Sequence, residues 1–182
     1  IIIMVERQEV LKFKNWVFSV HDIEVNQRYD NAPYSTHLKF VYAQGSKFFH
    51  LLSDTEVLAV MFALYGHDLI EDGRKTYNDI LSKVNKLLLP TYGEVYCEAI
   101  VDIIYCVTDE KGKNRSERKN EKFYRELDQN ELAVFVKLSD MAANKLYSKL
   151  SGSSMYDKYN KEFPKFKDNV KNHYIELKEL YD

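Results

Sequence analysis

Apolar positions recur along most of the chain at intervals of three and four, the period of a helix with one buried face. Val5, Val10, Leu11, Phe13, Val17 and Phe18 predict a helix over residues 4–20. Residues 21–33 turn polar and close on Asp30-Asn31-Ala32-Pro33, a turn signature. Pro33 suits the first turn of a following helix that carries Tyr34, His37, Leu38, Phe40, Val41 and Tyr42 up to Gly45. Asp54 precedes the run Val57 to Leu64, which is apolar throughout and predicts a capped, buried helix ending near Gly66-His67-Asp68. Thr76 opens a helix through Leu87. Pro90-Thr91 opens another through Val107, with Val95, Ala99, Ile100, Ile103 and Ile104 facing inward. Residues 109–122 are dense in charge, Lys111, Lys113, Arg115, Arg118 and Lys119 among them, and read as a loop or an exposed helix start. A strong helix follows over residues 130–150. Gly152 ends it, and residues 154–181 form a last helical stretch interrupted at Pro164.

Six Gly and three Pro in 182 residues leave few breakers, so long helices and an all-α fold are expected. The length suits one domain over residues 1–182, with 151–182 as a C-terminal helical extension, and no repeat or change of composition marks a second. A net charge of −2 gives no basic field for a nucleic acid polymer, so an anionic substrate would need a local cluster or a metal ion. No apolar run approaches the ~18 residues that span a bilayer. Ile1-Ile2-Ile3-Met4 is too short for a signal peptide before Glu6 and Arg7, so a cytoplasmic protein without membrane contact is expected. Cys97 and Cys106 read as free thiols in a reducing compartment. Tyr156, Tyr159, Phe163 and Phe166 would form core or a homo-oligomer contact.

The chemistry centres on His67-Asp68. Glu71 and Asp72 follow three and four residues later, which places them one turn from Asp68 on the same side if the backbone is near-helical. So many ionisable groups at the edge of a buried helix call for a cation. His21-Asp22 is a second such pair, but it lies in a polar stretch with no acidic pair after it, and reads as a decoy. His37 can face inward with Leu38, Phe40 and Val41. Asp140 directly follows the apolar stretch Val134-Phe135-Val136-Lys137-Leu138-Ser139, where an Asp needs a partner. Two His and two Asp with open positions suit Mn²⁺, Fe²⁺, Co²⁺ or Zn²⁺.

The order His, His-Asp, distant Asp resembles the HD phosphohydrolase superfamily. More narrowly, Arg28, Pro33, Tyr34 and His37 keep the spacing of the first motif of the RelA/SpoT-type hydrolase domain. His67-Asp68-Leu69-Ile70-Glu71-Asp72 is similar to its His-Asp-x-x-Glu-Asp motif. Val107-Thr108-Asp109 with Glu117-Arg118-Lys119 is similar to the segment after its next helix. Val136-Lys137-Leu138-Ser139-Asp140 with Asn144 is similar to its Val-Lys-Leu-Ala-Asp-x-x-x-Asn motif. These 182 residues hold no synthetase half, so the likeness is expected to be to the stand-alone small alarmone hydrolases of the metazoan SpoT type. It implies an HD-type helical bundle with His37, His67, Asp68 and Asp140 binding Mn²⁺ or another divalent transition metal. Glu71 and Asp72 would position and deprotonate water. Arg28 would pack on the nucleobase, Asn144 would contact the nucleotide, and Lys137 would reach a substrate phosphate. The implied reaction removes the 3′-pyrophosphate of (p)ppGpp.

The chain departs from that pattern at named places. Tyr29-Asp30-Asn31 stand where Lys-Ser-Gly is usual, Leu38 where Pro is, Gly73 where Thr is, and Tyr147 where a small polar residue often sits. The metal and water residues keep the pattern and the nucleotide pocket differs. Two rivals stay open: a nucleotide phosphatase of the same fold, such as an NADPH 2′-phosphatase, and a non-catalytic nucleotide-sensing HD domain.

Overall fold

Helix α3, Asp54–Gly66, is the axis of the molecule, and every residue from Val57 to Gly66 is buried. A helix that is apolar all round is stable only when neighbours cover every side. Ser53 starts it with a reciprocal capping box to Glu56, one residue before the expected cap at Asp54. The computed structural model describes residues 7–109 and 115–170. Val5, Lys111, Lys113, the side chain of Arg115 and residues 171–181 of the last expected stretch lie outside these.

Around α3 pack α1 (Gln8–Ser19), α2 (Ser35–Ser46), α5 (Glu94–Val107) and α8 (Glu131–Leu150). Helix α4 (Tyr77–Tyr92) lies on α5 and α1. The short α6 (Arg115–Arg118) leads into α7 (Glu121–Asp128), and α9 (Met155–Asn169) packs on α7 and α8. The sheet content of the described residues is one hairpin, β1 (Arg28–Tyr29) against β2 (Ala32–Pro33), with Arg28 paired to Pro33. The fold is all-α, and its buried apolar side chains form one contiguous cluster. No helix among the described residues is long and apolar enough to cross a membrane.

Several boundaries differ from expectation for local reasons. Pro33 lies in the hairpin, two residues ahead of α2. Pro90 does not open a helix but sits inside α4. The break falls at Gly93, whose φ of 80° suits glycine and whose N–H donates to the Leu89 carbonyl at 3.0 Å. Val95 is 81% exposed, because the buried stripe of α5 runs through Cys97, Ile100, Val101 and Ile104 and leaves Val95 and Ala99 off it. Residues 20–24 form a π-helical turn after α1 that buries His21 completely, so the supposed polar stretch begins inside the core. Phe166 is 2% exposed and packs beside Tyr124, so it belongs to the core.

Gly45 positions the functional elements. A Cβ there would meet Leu64 Cδ1 and Ser139 Oγ at 2.9 Å, so its bareness lets α2 press against both α3 and α8. That contact brings His37, near the start of α2, towards Asp140 on α8.

Candidate metal centre

Four side chains from three places in the chain converge where these helices meet. His37 projects from the first turn of α2, which the hairpin leads into. His67 terminates α3, Asp68 follows it, and Asp140 stands in mid-α8. His37 Nε2 lies 3.5 Å from Asp68 Oδ2 and 3.3 Å from Asp140 Oδ1. His67 Nε2 lies 2.9 Å from Asp68 Oδ2 and 3.8 Å from Asp140 Oδ1. The donor atoms of His37, His67 and Asp140 all fall within 4.8 Å of one another.

The ring orientation suits a cation. His67 Nδ1 lies 3.1 Å from the Leu64 carbonyl, which can only accept. Nδ1 therefore carries the proton, and in the neutral ring Nε2 keeps its lone pair. That Nε2 is buried without a hydrogen-bond partner and faces the carboxylates. A buried lone pair aimed at two Asp oxygens and a second imidazole is a mixed nitrogen and oxygen donor set for a divalent transition ion.

Electrostatics agree. Burial works against ionising Asp68, yet the charge of His67 and the nearness of His37 hold it well below the usual carboxylate range. Burial likewise opposes ionisation of Asp140, and His37 and Lys137 override it. Burial alone would lower His37, but Asp140 and Asp68 raise it to about 9. His67 is raised against its own burial, chiefly by Asp68. The two carboxylates thus demand positive charge, and protons on the imidazoles meet that demand when no ion is bound.

The other expected residues separate. Asp72 lies one turn past Asp68, its N–H donating to the Asp68 carbonyl at 2.9 Å. Gly73 closes this turn so tightly that a Cβ would meet the Leu69 carbonyl at 2.8 Å, which explains glycine at this position. Glu71 pairs with Arg118 at 2.7 Å. Burial and the nearby Asp109 carboxylate push it up from the ordinary glutamate value. Lys137 is 7% exposed, with its ammonium 3.4 Å from Asp109 and 3.6 Å from Asp140. Asn144 donates from Nδ2 to Asp140 Oδ1 at 2.6 Å. Arg28 is exposed, and its guanidinium donates to the Asn31 carbonyl within its own hairpin.

Residues without an assigned role in the sequence reading complete the shell. Tyr34 Oη lies 2.6 Å from Asp68 Oδ2 and 3.1 Å from Asp72 Oδ2. His21 stacks on Tyr34 with ring centroids 4.9 Å apart and bonds Gln27 through Nδ1 at 2.9 Å. The neighbouring Asp22 accepts from the N–H of Ser35 at 2.9 Å, at the start of α2. Tyr29 covers His37 at 4.9 Å, packs on Tyr147 at 4.5 Å and donates to Asn144 Oδ1 at 3.1 Å. A small recess of about 100 Å³ adjoins this wall, with Tyr29, Asp30, Asn144, Tyr147 and Tyr159 in its lining.

No protein-family model matches the chain, and no curated protein sequence matches it. Among solved structures, the fold is similar, with a TM-score of 0.65, to a metazoan orthologue of SpoT described as hydrolysing ppGpp and playing a role in starvation responses. The two chains are 21% identical, and the match covers 97% of this chain and 96% of that one. At that identity the likeness shows the fold alone: the chain shares the all-helical architecture of that protein.

Proposed function

We propose that the chain is a metal-dependent phosphohydrolase of nucleotides, with the 3′-pyrophosphate of (p)ppGpp as the group removed. The observation that carries this reading is the convergence of His37, His67, Asp68 and Asp140 beside a separate pair of carboxylates. A structural ion would need only the first set.

His37, His67, Asp68 and Asp140 would hold the ion, with Mn²⁺ as the expected metal. Such an ion, once bound, lowers the pKa of water towards about 7 and polarises a phosphoryl oxygen. Glu71, whose carboxyl burial and Asp109 push above its ordinary value, would take the proton of the attacking water. Asp72, tied through Tyr34 to Asp68, orients that water. The water oxygen bonds to the phosphorus on the ribose 3′-oxygen and the bond to that oxygen breaks. Pyrophosphate leaves, and the 3′-oxygen ends protonated. Lys137 stabilises charge on the phosphates. The recess beside Tyr29 and Asp30 has no Lys or Arg in its lining, so it favours the nucleoside end of the substrate over the phosphates.

One observation favours a second reading, a nucleotide sensor without turnover: the Arg118–Glu71 ion pair occupies the proposed base. A substrate panel separates the readings. The protein with Mn²⁺ is incubated with ppGpp, NADPH and deoxynucleoside triphosphates, and free phosphate is measured with and without added pyrophosphatase. Phosphate from ppGpp only in the presence of pyrophosphatase is the expected result. Release from NADPH alone would make the protein a 2′-phosphatase, and nucleotide binding with no release would make it a sensor.

A further inference from the structure

We propose that the cavity between α1 and α4 is a second binding site, specific for a diphosphate-type polyanion. It holds about 370 Å³, within the range of small-ligand sites, and shares no residue with the metal cluster. Trp16, Arg74, Lys75, Asp79, Lys83 and Lys86 line it.

The charge of this lining is not a sample of the surface. The whole chain carries a net charge of −2, yet cations dominate this one concavity. Asp79, the acidic residue of the lining, is engaged by the Thr76 N–H at 2.8 Å and the Thr76 hydroxyl at 2.7 Å as part of the α4 capping box. Lys75 is held by Glu24 at 2.6 Å. Arg74, Lys83 and Lys86 pair with no carboxylate among the described residues. Like charges gathered in a recess raise a local positive potential that a multivalent anion relieves.

The backbone contributes to this concentration. Lys83 and Lys86 lie on one face of α4 with Asp79, at helical spacing. Arg74 reaches the same cavity from the connector ahead of α4, where its φ of 57° is left-handed, a region bulky L residues adopt at a cost. Lys83 Nζ sits 5.5 Å from the centre of the Trp16 ring, so a cation already covers the aromatic face. The site therefore recognises charge rather than a stacked base, and several cations around one cavity favour a multivalent anion such as a diphosphate over a singly charged one. The connector also joins the two sites: Lys75 N–H donates to the Leu69 carbonyl, and Gly73 N–H to that of Asp68, each at 2.9 Å.

The diphosphate could arrive free or as part of a nucleotide, and a titration distinguishes these sources. Trp16 is the only tryptophan in the chain and lines this cavity, so its emission responds to a ligand bound there. The full chain in EDTA, which removes divalent ions, is titrated with sodium pyrophosphate and separately with ADP, and calorimetry repeats each titration. A saturable change is expected, with affinity about tenfold weaker or worse in the Lys83→Gln, Lys86→Gln double variant and unchanged in Asp140→Asn. Tighter binding of pyrophosphate assigns the site to free diphosphate, and tighter binding of ADP assigns it to a nucleotide. Absence of saturable binding by both methods, or equal affinity in the folded double variant, would overturn the proposal.

Discussion

Tyr34 Oη lies 2.6 Å from Asp68 Oδ2, so a phenol hydrogen-bonds to a carboxylate of the candidate metal centre. Its second contact, 3.1 Å to Asp72, makes it the link between that centre and the proposed water-orienting carboxylate. Burial and the two Asp charges push the phenol well above its ordinary value, so it stays protonated and donates. Tyr34→Phe keeps the ring that stacks on His21 and removes only the hydroxyl. The expected result is about a 10- to 100-fold loss of metal affinity or turnover with little change in melting temperature. Unchanged metal binding and rate would reduce Tyr34 to packing.

Glu71→Gln tests the base directly. The amide can still bond to Arg118, so the fold and bound metal should be retained. Turnover on the substrate identified by the panel should fall about 10²- to 10⁴-fold. A rate equal to wild type would remove Glu71 from the mechanism.

Lys137→Met separates a substrate contact from a buried counter-charge. The side chain is 9% exposed and faces Asp109, itself 8% exposed, as well as Asp140. Deleting its charge leaves those carboxylates underpaired in a core, at a cost of about 3–5 kcal/mol in urea unfolding of the metal-free protein. A raised KM with unchanged stability would instead make it a substrate contact alone.

Metal uptake should depend on pH with a definite sign. His37 in the metal-free protein is raised to about 9, so below that pH a proton must leave before the ring can ligate an ion. Metal affinity should therefore rise with pH up to about 9, by about tenfold per pH unit for one proton displaced. Calorimetry in buffers of different ionisation enthalpy counts the protons released. The same raised value means that stability contributed by His37 to the metal-free protein is full below its unfolded value of about 6.5 and is lost as pH rises through about 9. Affinity independent of pH between 6 and 9 would contradict this assignment.

Much of the site is legible in the residues themselves. His67-Asp68 stands out because it ends an apolar run, and Asp140 because it directly follows one; the structure puts both beside His37. The helices of residues 54–66 and 131–150 are legible for the same reason, since long apolar patterns leave few alternatives. The boundary at Gly93 is less so: proline and glycine stand three residues apart, and only the backbone shows which of them breaks the helix. His21 is hidden because a π-turn, which period-based reading does not anticipate, carries it inward from a polar neighbourhood. Tyr29 and Arg118 are also hidden, since their contacts with Asn144 and Glu71 depend on tertiary packing between distant segments.

The close approach at Gly45 has a consequence for how the protein matures. The candidate ligands come from segments far apart in the chain, and the distance between them is governed by helices seated on helices, with no local motif able to hold an ion alone. A nascent polypeptide halted before α8 would own both imidazoles and Asp68 yet have no Asp140 to close the cluster around them. Ion capture would thus be a late event in biogenesis, and a metal-loaded molecule would be one in which α2 and α8 have already found each other.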